Sequence, residues 1–358
     1  MSLSFLSKYV FIAALSAAPV LAADVIASGL NNPRGIAISP NGDLFVAEAG
    51  TGGTGPCIAS SNGTTPCLGN TGSITRIDLR KGTQERVATG FPSLAVANGS
   101  GAIGPAGISF QGQGNGYITL GLGANPTLRS QLGEDGAATA HTARMQPNGK
   151  WSVEADLGTF EINNNPAGGP IDTNPFGILA LPGKQIVADA GGNDLLEIGA
   201  NGKIQTLAVF PGQMVPAPGG GGLIPAEPVP TTVVVGPDGA YYVGQLTGFP
   251  FFPGSANVYR VSPQGGTPTV AYSGFTNIVS IAFGSDGSLY VLEISKNGLR
   301  SGNPLGALIK VLPDGTRTEL AAGQLFMPGG LVLASDGTIY VTNWSVLPGG
   351  GQVLRIQQ

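Results

Sequence analysis

The chain has 358 residues, of which 59 are glycine, 28 are proline and only 11% are charged, with a formal net charge of −4. This balance leaves no basic surface for nucleic acid, and no apolar run after the N-terminus is long enough to span a bilayer. Long helical periodicity is also missing past the N-terminus, so an all-β chain is expected, with glycines that recur at fixed places and read as turns.

The first 23 residues have the form of a secretory signal. Lys8 supplies the positive charge, Val10 to Ala18 the short apolar core, and Val20-Leu21-Ala22 with Ala23 the small-residue cleavage options. Export to a periplasmic or extracellular space is expected, leaving residues 24–358 as one domain. The mature chain opens on Val25 to Leu30, which resembles segments that close later repeats, Val87 to Phe91 and Val270 to Phe275.

One motif then recurs six times. Its first copy is Pro33-Arg34-Gly35-Ile36-Ala37-Ile38, turning at Asn41-Gly42 and returning as Leu44 to Glu48; the others begin at Gly104, Asn174, Val229, Asn277 and Met327. Repeats of short alternating strands joined by turn dipeptides signal a β-propeller. The fifth copy shows the plan: strands at Ser280 to Phe283, Leu289 to Glu293, Ala307 to Leu312 and Arg317 to Ala321, with turns at Asp286-Gly287 and Asp314-Gly315. Asn or Asp before Gly also marks tight turns at Asn41, Asn148, Asn201, Asp238 and Asp336. Both central residues of such turns are expected at positive φ, and the carboxylates are read as turn chemistry rather than calcium ligands. The last copy stops at its third strand, Val353 to Ile356, so Val25 to Leu30 is expected to supply the fourth and close a six-bladed ring.

Cys57 and Cys67 lie in a Gly/Ser/Thr-rich stretch, and an even cysteine count in an exported chain predicts a disulfide that staples this loop. The third strands share a basic position, Arg76, Arg144, Arg260, Lys310 and Arg355, replaced by Glu197 in the third repeat. Pairing with neighbouring acids, outward or between blades, is the expected role.

All the long connections fall on one face: 51–72, 122–140, 161–173, 212–228, 246–256, 295–306 and 345–350. Long loops on a rigid scaffold usually carry function. The second strands end on that face at a recurring polar position, Glu48, Asp189, Gln245, Glu293 and Asn343, with Leu120 breaking the series. Two roles stay open for this ring: binding a cation or polar ligand at the channel mouth, or satisfying backbone donors in the adjacent loop. In the first role Arg34, Phe251 and Trp344 complete the mouth, and Glu48, Asp189 and Glu293 are the side chains that a calcium or magnesium ion would use. Phe249-Pro250-Phe251-Phe252-Pro253 either lines an apolar site or clamps over the channel. His141 is the only histidine, and no nucleophile elbow, phosphate loop or zinc spacing is present, so no catalytic residue is assigned and no cofactor is demanded.

The repeats resemble NHL-type six-bladed propellers and, more specifically, the ScyD/ScyE family of the scytonemin cluster. The stretches that carry this resemblance are Gly55-Pro56-Cys57 with Cys67, Gly116 to Gly123, Asn174 to Gly177 through Ala188 to Leu196, Val233 to Pro250 and Asn257 to Val261. The resemblance implies an exported propeller and no particular reaction. Gluconolactonase- and paraoxonase-like propellers hold calcium just before the first strands, where this chain has Arg34, Ala106, Phe176, Thr231, Val279 and Gly329; none is an acid or an amide, so that metal site does not carry over. The reading that results is an exported, monomeric binding or scaffold protein that takes a small molecule, glycan or protein on its loop-rich face. The alternative is a metal-assisted lyase or hydrolase at the channel mouth.

Overall fold

The computed structural model describes residues 22–112 and 114–357; most of the expected signal segment, residues 1–21, lies outside the described residues. Six four-stranded antiparallel sheets form the blades of a β-propeller. Blade 1 is Pro33–Ile38, Leu44–Glu48, Cys67–Asp78 and Thr83–Ala95, and blade 2 is Pro105–Gln111, Asn115–Leu120, His141–Met145 and Trp151–Asp156. Blade 3 is Pro175–Leu181, Lys184–Asp189, Asp194–Gly199 and Ile204–Val209, and blade 4 is Pro230–Val235, Tyr241–Gln245, Ala256–Val261 and Thr269–Phe275. Blade 5 is Ile278–Phe283, Leu289–Glu293, Ala307–Val311 and Arg317–Leu320. Blade 6 takes Gly330–Leu333, Ile339–Asn343 and Gly351–Ile356 from the C-terminal end and Ala23–Leu30 from the N-terminal end. The register of that last pair, Ala23 opposite Ile356 through Leu30 opposite Gly351, closes the ring as the repeat predicts.

The repeated glycine has a steric cause. The first strands crowd around the axis, and a Cβ at Gly35 would stand 2.6 Å from the Ala106 carbonyl oxygen of the next blade. At Gly107, Gly177 and Gly330 it would meet the Phe176, Thr231 and Arg34 carbonyl oxygens at 2.4, 2.8 and 2.5 Å. Hydroxyls knit the same junctions: Thr119 Oγ1 donates to the Phe176 carbonyl at 2.7 Å and Thr342 Oγ1 to the Arg34 carbonyl at 2.8 Å. Between each pair of neighbouring blades lies one apolar cluster, such as Ala47, Ile74 and Phe91 with Ile108, Ile118 and Ala143 between blades 1 and 2.

The tight turns differ in one respect from expectation. Only their glycines have positive φ, for example Gly42 at 89°, Gly239 at 78° and Gly287 at 79°. The preceding Asp or Asn stays on the negative side because its side chain accepts from the backbone two residues on, as Asp286 Oδ1 does from Ser288 N at 3.0 Å and Asp336 Oδ1 from Thr338 N at 2.9 Å. A type I turn followed by a left-handed glycine fits this pattern, rather than the mirror-image turn. Four of the five third-strand cations pair with acids of their own blade: Arg76 with Asp43 at 2.7 Å, Arg260 with Asp238 at 2.7 Å, Lys310 with Asp286 at 3.2 Å and Arg355 with Asp24 at 2.9 Å; Arg144 makes no ion pair among the described residues, against expectation. Blade 3 keeps the pair with its signs exchanged, Glu197 meeting Lys184 at 2.7 Å.

On the loop-rich face the insertions of blades 1 and 2 share a small core of their own, Ile58, Leu68 and Leu94 against Leu122, Leu132 and Ala140. The Cys57–Cys67 disulfide ties down its edge. A helix, Leu157–Asn164, follows blade 2 with Asp156 as its N-cap, and a separate hairpin, Gln213–Pro216 with Leu223–Ala226, joins blades 3 and 4. No helix among the described residues is long and apolar enough to cross a membrane.

Candidate functional site

The recurring polar position at the end of the second strands is buried in every blade that carries it. Glu48, Asp189, Gln245, Glu293 and Asn343 are exposed by 0, 2, 0, 4 and 2%. Four of them hold the chain that enters their own blade. Asn31 N donates to Glu48 Oε2 at 2.6 Å, Asn174 N to Asp189 Oδ1 at 2.6 Å, Thr276 N to Glu293 Oε1 at 2.7 Å and Phe326 N to Asn343 Oδ1 at 2.7 Å. Gln245 Oε1 instead accepts from Asn257 N at 3.1 Å. Each of the five thus accepts from a backbone N–H, and what recurs is a clasp between the end of the second strand and the chain entering the first or third.

Their electrostatics differ. Arg86 reaches Glu48 through Nε at 3.0 Å and Nη2 at 2.8 Å, and Thr75 Oγ1 donates to the same carboxylate. Glu293 has no such cation, and burial pushes its carboxyl up to about 7. Burial likewise raises Asp189, against the pull of its backbone donors Gly192 and Asn174 and of Thr173 Oγ1. Glu48, Asp189 and Glu293 stay in three separate blades, and among the described residues no three Asp, Glu, His or Cys side chains form a group that could hold a metal ion. The structure does not bring those three acids together as one ion site.

Arg34 stands at the loop-side start of the first inner strand. Its Nη2 donates to the Ala102 carbonyl at 2.8 Å, no acid pairs with it among the described residues, and burial pushes its guanidinium down to about 10. From blade 3, Phe176 packs against the cluster shared by blades 5 and 6, together with the half-buried Leu246, Leu299, Met327 and Val346. An aromatic ring thus reaches across the axis at this end. Ala106, Thr231 and Val279, at the same level, are exposed by only 5, 3 and 2%.

The channel itself is a cavity of about 490 Å³ lined by the six inner strands, from Gly35 to Ile38 round to Gly329 to Leu333. Its walls become more exposed toward the tight turns, where Val235 is 40% exposed and Phe110, Leu179, Phe283 and Leu333 are half-buried. The inner strands are thus more exposed at the short-turn end than at the loop-side end. Phe176, Thr231 and Val279 line the cavity toward the loop-rich face, where the expected mouth lies.

The aromatic loop divides. Phe249 and Phe252 are 50 and 38% exposed, Phe251 is half-buried, and Arg300 lies 5.1 Å over the Phe249 ring. Trp344 is half-buried and stacked on Phe326 with ring centroids 4.9 Å apart. Beside the aromatic loop stands the blade 3–4 hairpin, anchored to it by Gln213 Nε2 donating to the Ser255 carbonyl at 2.7 Å. The hairpin buries Val215 and Ala226 on one side and leaves Met214 and Leu223 57 and 60% exposed on the other. Sequence reasoning missed this surface; the alternation in Gln213-Met214-Val215-Pro216 was the signal.

His141 opens the third strand of blade 2 and is engaged. Its Nδ1 lies 2.9 Å from the Thr139 carbonyl and its Nε2 3.6 Å from Asp156, which Arg129 grips at 2.6 and 2.7 Å. Burial lowers the imidazole pKa, and the Arg129 fork with the Thr159 donors drives Asp156 far below the usual carboxylate range. These side chains fix the N-terminus of the helix at Leu157–Asn164.

No protein-family model and no curated protein matches the chain. Its fold is similar to that of virginiamycin B lyase from Staphylococcus aureus, with 15% identity and a TM-score of 0.50 over 94% of this chain and 85% of that one. It is equally similar to a streptogramin B lyase, with 14% identity and a TM-score of 0.50 over 94 and 98% of the two chains. A protein of unknown function from Bacteroides thetaiotaomicron is similar at 12% identity and a TM-score of 0.53, over 93% of this chain and 75% of the other. At these identities the likeness is one of fold: the chain is a six-bladed β-propeller whose structural neighbours include such lyases.

Proposed function

We propose that this protein is an exported ScyD/ScyE-like propeller, residues 1–23 its signal peptide and 24–358 its working domain, that binds an apolar ligand or partner surface on its loop-rich face. One observation carries the reading. Met214, Leu223, Phe249 and Phe252, each at least 38% exposed, stand on two loops that are hydrogen-bonded to each other. Large apolar side chains left exposed on adjoining loops cost solubility and are usually kept for binding. Export is supported by the disulfide, which persists in oxidising compartments. Arg34, with no acid beside it, offers an anionic group a partner at the centre of the same face.

An anionic apolar dye, anilinonaphthalene sulfonate, tests the surface directly. The native protein is expected to bind it saturably. The combined change Met214→Gln, Leu223→Gln, Phe249→Ser and Phe252→Ser should reduce the fluorescence several-fold while leaving the melting temperature within about 2 °C, since exposed substitutions change stability little. Dye binding unaffected by the four changes, or no binding to the native protein, would overturn the reading.

A further inference from the structure

Five of the six blades neutralise the charge on their third strand, and blade 2 is the exception. Asp43, Asp238, Asp286 and Asp24 hold Arg76, Arg260, Lys310 and Arg355, and in blade 3 Lys184 holds Glu197. Arg144 of blade 2 has neither an ion pair nor a hydrogen bond to its guanidinium among the described residues. The cause lies in the sequence. The acids that serve blades 1, 4 and 5 sit in or beside the first tight turn, and residues 111–115 contain no acid.

Arg144 lines a cavity of about 350 Å³ between blades 2 and 3, at the tight-turn end of the propeller. It stands directly opposite Tyr117 in the antiparallel ladder, so the guanidinium and the half-buried ring share one side of the sheet. Leu181 and Ile198 of blade 3 add apolar wall. Lys184 lines the same cavity because blade 3 exchanges the signs of its pair, which puts a cation where blade 1 has Asp43. One acid, Glu154, shares the space. It accepts from Gln185 Nε2 at 2.7 Å, Gln185 being only 9% exposed, and it pairs with neither cation. Other blade clefts at this end differ. Between blades 1 and 2 the lining cation is Arg76, already held by Asp43, and between blades 5 and 6 Lys310 faces Asp286 and Asp336. The cleft of blades 2 and 3 presents a cation from each wall, and that of blade 2 is unengaged.

We propose that this cleft is a ligand site and that it takes a small carboxylic acid with an apolar, ring-bearing body. The guanidinium of Arg144 offers a planar fork of donors that fits a carboxylate through two parallel hydrogen bonds. The Tyr117 ring with Leu181 and Ile198 receives the body, which favours an organic acid over inorganic phosphate. The volume falls within the range of roughly 300–1,000 Å³ that small-ligand sites occupy. The cleft shares no residue with the apolar surface of the loop-rich face and does not rest on the binding reading above.

The test is saturation-transfer NMR of the purified protein with benzoate, 4-hydroxybenzoate and indole-3-acetate, followed by calorimetry on the tightest binder. At least one acid is expected to bind saturably, and its neutral amide about tenfold more weakly or worse. Arg144→Gln should weaken the acid at least about tenfold and leave the melting temperature within about 2 °C, because the side chain is exposed. Arg144→Lys should recover part of the loss, since it restores the charge without the fork. Lys203→Gln removes the same charge from the neighbouring turn, outside the cavity lining, and should change binding by less than about twofold. No binding of any of the three acids, an Arg144→Gln variant that binds as the parent does, or an equal loss in Lys203→Gln overturns the proposal. Inorganic phosphate binding as tightly as the best acid overturns the assignment of the ligand class.

Discussion

Blades 1 and 3 both end their second strand in a buried carboxylate, and they treat it in opposite ways. In blade 1 the fourth strand brings Arg86 onto Glu48, so the charge is buried as a pair. In blade 3 the equivalent Asp189 meets only neutral donors, and the next strand adds Asp194 rather than a cation. The loops above follow suit: those of blade 1 have a disulfide and a shared apolar core, whereas those between blades 3 and 4 form an exposed hairpin. The propeller can thus neutralise an acid at this position when only structure is required, and blade 3 is the place where it has not.

Three measurements would break or sharpen that contrast. The largest effect is expected from Cys57→Ser with Cys67→Ser, which opens a loop with a sequence separation of 10 and should cost about 3 kcal/mol in the chain-entropy account. Denaturant unfolding checks it, and a loss below about 1 kcal/mol would mean that the blade 1 insertion is held by its apolar core instead.

Arg86→Ala should put blade 1 in the condition of blade 3. Glu48 would be left buried and unpaired, for a loss of about 2–3 kcal/mol, less than for a fully buried pair because the Arg86 side chain is 43% exposed. The double variant Arg86→Ala with Glu48→Gln should recover most of that loss. If it recovers none, the arginine acts through packing rather than charge.

The smallest effect concerns Glu293, a clasp acid with one backbone donor and no cation in hydrogen-bond contact. Its folded pKa, about 7, lies above the reference value of 4.5, so between those values the folded state holds more protons than the unfolded one. Stability is therefore present at the acid side and is lost progressively as pH rises from about 4.5 through about 7. Glu293→Gln should flatten that part of the pH profile in urea unfolding, and an unchanged slope would assign the titration to another group.

Much of the architecture was legible in the repeat. Strand alternation, turn dipeptides and the unfinished last copy predict six blades and closure by Val25 to Leu30, and all of these are local or count-based signals. The ion pairing of four of the five third-strand cations was legible for the same reason, since period-2 geometry puts Arg76 and Asp43 on one side of their sheet. The candidate site was less legible. The ring from Glu48 to Asn343 was found by position, but position does not tell whether a side chain turns to the channel or into the blade.

By itself, then, the sequence determined the fold class, the number of blades, the disulfide and the face that carries the long loops. Each follows from spacing, which a linear chain displays. The tertiary structure alone decided which end of the channel is more exposed, that the clasp acids are buried, that the hairpin carrying Met214 is hydrogen-bonded to the aromatic loop, and that Asp194 faces Asp189 without a counter-charge. Those depend on which strands pack side by side and on how far each side chain is removed from water. Both are properties of distances between residues remote in sequence, and no local pattern encodes them.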